Sequence, residues 1–213
     1  MRTTGFVVLL LTMVGLALAA VLDRTGHDPA PAEPAPSGDS AKAIFAGGCF
    51  WCVEEAFDAV TGVVSTTSGY TGGRTRDPNY EEVSGGGTGH AEAVLVVYDP
   101  AVTTYVTLLG VFWRNIDPTD GGGQFCDRGD SYRSAIFTSD DEQRRLAEDS
   151  KRALEESGRF NKPIATEIVP AGRFYEAESY HQNYYQRNPT RYKLYKWNCR
   201  RAQRLEQVWG EKP

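Results

Sequence analysis

The stretch AIFAGGCFWCVEEAFDAV, residues 43–60, holds the signals that decide the fold. A short apolar run stops at Gly47-Gly48, which predicts a strand that ends in a turn. From Cys49 to Val60 the apolar side chains recur on one face, which predicts a helix directly after that turn. The stretch therefore predicts a strand–turn–helix unit with two cysteines, Cys49 and Cys52, in the first turn of the helix.

Apolar patterning on either side of the turn predicts further strands and helices. Residues 90–98 form the clearest strand, and both alternating sets of its side chains are largely apolar, so both faces should be covered. Spacings of three and four predict an amphipathic helix over residues 105–116. Shorter strands are predicted at 132–137 and 164–169. Helices are predicted at 139–158, where a capping box begins at Ser139, and at 177–186 and 192–208. The last two are mostly helical segments separated by a break at Asn188-Pro189. The elements together predict one α+β domain over residues 41–213.

The first forty residues differ in composition from this domain. Residues 5–22 carry no charged side chain and follow Arg2, which is typical of a signal peptide or an N-terminal membrane anchor over residues 1–22. Residues 23–40 are rich in proline, alanine and acidic residues, which predicts a linker without a core. We therefore expect an exported domain, either periplasmic or membrane-anchored on the extracytoplasmic side.

Composition and charge exclude several classes of protein. The chain is 40% hydrophobic and 24% charged, which excludes a collagen-like, a coiled-coil or a wholly disordered chain. The net charge is −5 and no long cluster of lysine and arginine rises above this acidic background, so a nucleic-acid partner has no electrostatic support.

The cysteines three positions apart predict thiol chemistry. Free backbone N–H groups at a helix N-terminus favour a thiolate, which predicts Cys49, in an exposed first turn, as nucleophile and Cys52 as its resolving partner. Three other interpretations stay open: a structural disulfide, which would close almost no loop; half of a zinc site, although no second Cys-x-x-Cys exists; and a general thiol–disulfide oxidoreductase.

A carboxylate inside the clearest strand is the second chemical signal. Glu92 shares a strand face with Val94 and Val96, so burial should raise its pKa toward neutrality. A carboxyl group with such a pKa can donate a proton at pH 7; alternatively, Glu92 points to water at a strand edge. Phe50 and Trp51 could line an apolar pocket for a methyl group, or could belong to the core.

Ten short motifs occur in a fixed order along the chain. They are GCFW at 48–51, GYTGG at 69–73, PNY at 78–80, TGHAE at 88–92, YDP at 98–100, FW at 112–113, DPT at 117–119, SYRSAI at 131–136, YHQ at 180–182 and NP at 188–189. In these motifs the domain resembles the A-type peptide methionine sulfoxide reductases. The resemblance implies a two-layer α/β sandwich with a mixed sheet of the ferredoxin-like type.

The resemblance also implies a reaction and the residues that perform it. The substrate would be the S epimer of methionine sulfoxide, free or in proteins, with oxidised proteins repaired as the outcome. Cys49 would attack the sulfoxide sulfur while Glu92 protonates its oxygen. The remaining site residues would bind and orient the sulfoxide: Tyr80 and Tyr132 through its oxygen, Phe50 and Trp51 through its methyl group, and Asp127 by orienting the site.

Regeneration of Cys49 is where the chain departs from much of the family. The resemblance implies that Cys49 becomes a sulfenic acid and then a disulfide, which a thioredoxin-like partner reduces. Many members resolve with cysteines near a glycine-rich tail, but this chain has no such tail and has Cys52 where many relatives have glycine. We expect Cys52 to resolve, with Cys199 as the alternative and Cys126 as a buried, inert thiol. Neither a metal nor another cofactor is implied, and a monomer is expected.

Overall fold

The computed structural model describes residues 40–210. The expected leader at 1–22 and nearly all of the expected linker at 23–40 lie outside the described residues, so both stay predictions. Between residues 40 and 210 no helix has the length and apolar character needed to cross a membrane.

Eight strands are present in the described part of the chain. They are β1 (Ala41–Gly47), β2 (Val63–Thr71), β3 (Ala91–Tyr98), β4 (Gly123–Gln124), β5 (Asp127–Arg128), β6 (Ser134–Thr138), β7 (Glu167–Pro170) and β8 (Tyr175–Glu176). Six of them form one sheet in the order β7-β6-β1-β3-β2-β8, while β4 and β5 form a separate hairpin. Pairing in the large sheet is antiparallel except between β6 and β7. A mixed sheet combined with helices confirms the α+β class, whereas the ferredoxin-like arrangement stays a prediction.

Seven helices and one 3-10 turn accompany the strands between residues 40 and 210. The helices are α1 (Phe50–Asp58), α2 (Tyr80–Gly85), α3 (Tyr105–Arg114), α4 (Asp141–Glu156), α5 (Tyr184–Arg187), α6 (Pro189–Asn198) and α7 (Arg201–Trp209), and the 3-10 turn is Asp130–Tyr132. Helices α1 and α3 cover one face of the sheet, because Phe57 and Phe112 stack on Phe45 of β1 with ring centroids 4.9 and 5.2 Å apart.

Both faces of β3 are covered, as its sequence predicts. Val94 and Val96 belong to the large core under the helices, whereas Ala93 and Leu95 belong to a smaller core on the opposite face. Because side chains alternate along a strand, Glu92 lies on the same face as Val94. The sheet therefore directs this carboxylate toward α1.

The predicted elements that depend on local periodicity are confirmed. These are β1, α1, β3, α3 and the break before Pro189. The shorter predicted elements are present with shifted bounds at β6, β7 and α4. Asp140 caps α4 in place of the expected Ser139, because its side chain accepts the Gln143 N–H.

One helical prediction in the C-terminal third is wrong, and a second gains an internal break. Only Tyr184–Arg187 is helical in the predicted helix at 177–186, because Gln182 instead bonds both the N–H and the C=O of Ser68 in β2. The segment at 192–208, predicted to be mostly helical, is confirmed, with a break between α6 and α7 at Arg200, which has a φ of 52°. A left-handed residue interrupts the helical hydrogen-bond ladder and changes the direction of the chain.

Candidate active site

A cavity of about 60 Å³ lies at the N-terminal end of α1. It is lined by Cys49, Phe50, Trp51, Tyr80, Glu92, Asp127, Tyr132 and Tyr195. The structure thus brings together seven residues that the sequence analysis assigned to the site, from five separate parts of the chain. Cys52 contacts Cys49 behind the cavity, and Cys199 does not line it.

Cys49 occupies the N-cap position of α1 because the chain turns sharply at Gly48. Gly48 has a φ of 80°, and a Cβ atom there would lie 2.6 Å from Cβ of Gln124. Only glycine tolerates both the left-handed conformation and this close approach. The turn leaves the Cys49 carbonyl to accept the N–H groups of Cys52 and Val53, so the helix begins directly after the thiol.

The Cys49 thiol is buried, which corrects the expectation of an exposed first turn. Only 5% of Cys49 and 3% of Cys52 is exposed. Burial raises the pKa of the Cys49 thiol well above its ordinary value, and the hydrogen bond to Cys52 raises it further. Burial therefore outweighs the effect of the helix N-terminus, and Cys49 holds its proton in the resting pair.

Cys52 carries the negative charge of the pair. The hydrogen bond from Cys49 lowers the pKa of Cys52 to about 6, against the opposing effect of burial. The positive charges of Arg201 and Lys196 and a hydrogen bond with Tyr192 lower it further. Near pH 7 the two sulfurs therefore share one proton, with the S–H of Cys49 donating to the thiolate of Cys52.

Glu92 is the buried carboxyl group that its strand position predicts. It is 2% exposed, and burial raises its pKa to about 8, helped by the negative charge of Asp127. The Phe50 N–H at the start of α1 donates to its Oε2 atom at 3.0 Å and partly offsets this rise. At pH 7 the carboxyl group is mainly protonated and lines the same cavity as the Cys49 sulfur.

Two tyrosines bring hydroxyl groups to the cavity from separate elements. Tyr80 starts α2, which Asn79 caps through a capping box, and Tyr132 ends the 3-10 turn. The two hydroxyls are hydrogen-bonded to each other. Burial raises the pKa of both tyrosines, and the Glu92 carboxylate raises them further. Both hydroxyls therefore keep their protons and can act as hydrogen-bond donors.

Aromatic rings form the apolar wall of the cavity. Phe50 is almost fully buried, and Trp51 stacks on Tyr184 with ring centroids 3.7 Å apart. The Trp51 indole N–H donates to Nδ1 of His181 at 3.2 Å, which fixes the ring in its plane. The two rings thus form a rigid apolar surface beside Cys49. They combine the two roles considered from the sequence, because they line the pocket and are also packed against neighbouring side chains.

Tyr195 is the site residue that the sequence analysis missed. Its hydroxyl donates to Oδ2 of Asp127 at 2.5 Å, and its side chain lines the cavity beside Cys49. The residue lies on α6, and no short motif marks a tyrosine in that segment as part of a site. The only available signal is its position four residues before Cys199.

The other two cysteines form a disulfide, Cys126–Cys199, with a Cα–Cα distance of 4.9 Å. The expectation that Cys126 is a buried inert thiol is wrong, because Cys126 lies at the exposed tip of the β4–β5 hairpin. Cys126, Asp127 and Cys199 are also the one group between residues 40 and 210 whose donor atoms lie close enough to hold a metal ion. The two sulfurs are bonded to each other, however, so they do not offer a metal two thiolates.

Comparison with known proteins agrees with this geometry. The family model for peptide methionine sulfoxide reductase matches residues 41–213. The chain is 55% identical over 170 residues to a peptide methionine sulfoxide reductase MsrA of Bacillus licheniformis, which covers 80% of this chain and 94% of the relative.

Solved structures agree with the sequence match. The reduced form of Mxr1 from Saccharomyces cerevisiae superposes with a TM-score of 0.66 at 34% identity, over 73% of this chain and 89% of that chain. Methionine sulfoxide reductase A of Corynebacterium diphtheriae superposes with a TM-score of 0.64 at 36% identity, over 72% of this chain and 77% of that chain. The chain therefore belongs to the peptide methionine sulfoxide reductase family and is an enzyme of thiol-dependent methionine sulfoxide reduction.

Proposed function

We propose that this enzyme reduces the S epimer of methionine sulfoxide at Cys49, with Glu92 as proton donor and Cys52 as resolving thiol. The observation that carries the proposal is the meeting of Cys49 and a protonated Glu92 in one small cavity. Sulfoxide sulfur is a poor electrophile until its oxygen is protonated or strongly hydrogen-bonded. A thiol and an acid that reach the same substrate group supply both requirements.

The first step transfers the sulfoxide oxygen to Cys49. The Cys49 proton passes along the S–H···S hydrogen bond to the Cys52 thiolate, and the Cys49 sulfur attacks the sulfoxide sulfur. Glu92 donates its proton to the oxygen, which leaves as the hydroxyl of a Cys49 sulfenic acid. The sulfoxide is reduced to the thioether, Cys49 is oxidised, and the negative charge moves from Cys52 to Glu92.

The second step regenerates a stable form of the enzyme. The Cys52 thiol condenses with the Cys49 sulfenic acid, so an S–S bond forms, the S–O bond breaks, and water leaves. The existing hydrogen bond between the two sulfurs supports this assignment, as does the engagement of Cys199 with Cys126. A thioredoxin-like dithiol then supplies the two electrons that open the disulfide.

Substrate orientation follows from the two walls of the cavity. Hydroxyls of Tyr80 and Tyr132 lie on the side of Glu92 and would hydrogen-bond the sulfoxide oxygen, while Phe50 and Trp51 would hold the methyl group. Asp127 would orient the rest of the site. An apolar wall on one side and donors on the other distinguish the two configurations at sulfur. A general thiol–disulfide oxidoreductase has no need of this arrangement and is not favoured.

Separated epimers provide the test. Reduced enzyme incubated with the S epimer should yield methionine under recycling conditions, and the R epimer should yield none. A Cys49→Ser variant should yield none from either epimer. Equal reduction of both epimers would contradict the proposed orientation, and methionine formation by Cys49→Ser would contradict the nucleophile.

We also propose that the enzyme acts outside the cytoplasm, delivered by a signal peptide or anchor at residues 1–22. The uncharged stretch at 5–22 supports this, as does the surface disulfide Cys126–Cys199, because disulfides persist in oxidising compartments. Cell fractionation together with sequencing of the mature N-terminus tests it. A cytoplasmic protein with an intact, soluble N-terminus would overturn it.

A further inference from the structure

Tyr195 lies between two groups of the active site. Its hydroxyl donates to Asp127, and its side chain lines the same cavity as Cys49 and packs against the Cys49–Cys52 cluster. Its ring meets Trp51 edge to face, with centroids 5.8 Å apart. Tyr195 thus lies beside the reacting sulfur, on the side of the cavity formed by α6, and its hydroxyl lowers the pKa of the Cys49 thiol.

Helix α6 is held over the cavity on its inner side by Tyr192 and Lys196, which both donate to Glu55 of α1. Its outer side is open, with Trp197 76% exposed and Leu194 57% exposed. At its C-terminal end, Cys199 donates its N–H to the Tyr195 carbonyl and bonds Cys126 through sulfur. The disulfide therefore joins the helical turn that holds Tyr195 to the residue immediately before Asp127.

The other end of this connection is a conformationally unfavourable hairpin tip. Phe125, which precedes Cys126, has a φ of 56°, a conformation that bulky side chains rarely adopt. The guanidinium of Arg201 in α7 lies 4.3 Å from the centre of its ring. The C-terminal helices thus hold the tip through a covalent bond, a cation–π contact and the hydrogen bond of Tyr195 to Asp127.

We propose that Tyr195 is a further catalytic residue whose hydroxyl donates to the Cys49 sulfur during the reaction, and that the Cys126–Cys199 disulfide positions it and takes no part in electron transfer. The inference rests on the proposed function. In the resting enzyme the hydroxyl donates to Asp127. When negative charge passes from Cys52 to Cys49, the hydroxyl can donate to the sulfur and stabilise that charge.

A single-turnover measurement with the S epimer tests the catalytic part. Tyr195→Phe should form methionine on the order of tenfold more slowly than the unaltered enzyme, the loss of one hydrogen bond to a charged group. The matched control is Tyr185→Phe, because the Tyr185 hydroxyl donates to Asp58 and does not line the cavity. This control should keep the normal rate.

A second readout separates a hydrogen bond from a general structural role. In a Cys52→Ser background, with the outer disulfide intact, Cys49 is the one free thiol among the four cysteines. The pH at which iodoacetamide alkylates Cys49 at half its maximal rate should rise by roughly one unit in Tyr195→Phe. An unchanged rate and an unchanged alkylation profile would overturn the catalytic role.

The positioning role is tested with the double variant Cys126→Ser/Cys199→Ser. Its single-turnover rate should fall about as much as that of Tyr195→Phe. When all three substitutions are combined, the rate should fall about tenfold in total and not a hundredfold, because the effects of coupled residues do not add. A double variant as fast as the unaltered enzyme would overturn the role, and so would a hundredfold combined loss. All rates are taken below the melting transition of the least stable variant.

Peptide mapping completes the design. When Cys49 and Cys52 are reduced before mixing, Cys126 and Cys199 should still be bonded to each other, and they should remain so after turnover. Opening of both pairs together would overturn the positioning role. If the unaltered enzyme forms no methionine from the S epimer, the proposed function is wrong. If the unaltered enzyme forms methionine and the Tyr195→Phe and Cys126→Ser/Cys199→Ser variants form it at the same rate, only this inference is wrong.

Discussion

The two cysteine pairs of this enzyme occupy contrasting environments. The inner pair, Cys49 and Cys52, lies three residues apart on one helix, buried and unbonded, beside a protonated carboxyl group. The outer pair, Cys126 and Cys199, is bonded across 73 residues of sequence and has one member at an exposed hairpin tip. A short spacing constrains the unfolded chain little, whereas a long one constrains it strongly. The inner pair is thus suited to chemistry and the outer pair to holding structure.

The largest expected effect is on the number of methionine molecules that each enzyme molecule releases, which should differ between variants of the inner and the outer pair. Cys52→Ser should release one methionine per enzyme, more slowly because the Cys49 proton has lost its acceptor, and then stop because the Cys49 sulfenic acid has no thiol to condense with. Cys199→Ser should continue through many turnovers, at a reduced rate. The measurement is methionine released per enzyme with a thioredoxin-like reductant in excess. If Cys199→Ser stops after one product and Cys52→Ser continues, the assignment of the two pairs must be exchanged.

The next effect concerns the acid that accompanies only the inner pair. Glu92→Gln should lower kcat by roughly 10²–10⁴-fold, the usual contribution of a general acid. Glutamine can still accept the Phe50 N–H, so the start of α1 should remain intact. Steady-state rates at pH 7 check the effect, and circular dichroism checks the fold. Retention of most activity at pH 7 would mean that another group protonates the sulfoxide.

These two predictions use residues that sequence patterns could identify, and the reason is local. The strand–turn–helix at 41–58 and the strand β3 follow from periodicity within a few residues, so Cys49, Cys52 and Glu92 could be placed before their contacts were known. The resemblance to a family supplied Tyr80, Tyr132 and Asp127, which periodicity alone does not connect.

What the sequence did not predict depends on contacts between distant segments. Strand β2 is rich in serine and threonine and has no clear alternation, yet it pairs with β3 along Val63–Thr71. Residues 177–183 leave the helical pattern because Gln182 satisfies the backbone of β2. The Cys126–Cys199 bond and the role of Tyr195 likewise require the chain to return to its first half.

A smaller effect is expected on the pH dependence of the reaction. Cys52 must be a thiolate to accept the Cys49 proton, and its pKa of about 6 sets the acidic limit. Glu92 must be protonated, and its pKa of about 8 sets the alkaline limit. The value of kcat/KM should therefore be highest between pH 6 and 8 and fall about tenfold per unit outside that range.

The pH profile also distinguishes the two cysteine pairs, because its acidic and alkaline limits both arise from groups at the inner pair. The alkaline limit should disappear in Glu92→Gln, whose residual activity no longer needs a protonated carboxyl group. Substituting both outer cysteines should move the limits no further than Tyr195→Phe does, because the disulfide acts on the inner pair through the position of Tyr195. A shift well beyond that of Tyr195→Phe would show that the outer pair acts on proton transfer by more than the position of Tyr195.

The last prediction concerns the stability of the fold, and it isolates the outer pair. A cross-link across 73 residues is expected to contribute about 4 kcal/mol through the unfolded chain. The double variant Cys126→Ser/Cys199→Ser should therefore melt roughly 10 °C lower than the unaltered enzyme. Dithiothreitol strong enough to open the outer pair should lower the melting temperature of the unaltered enzyme by a similar amount and leave the double variant unchanged. Cys52→Ser, with the outer pair intact, should shift it much less. A melting temperature that depends on Cys52 and not on Cys199 would exchange the roles of the two pairs. The stabilising bond would then lie in the inner pair, and the hairpin tip and Tyr195 would have no covalent support.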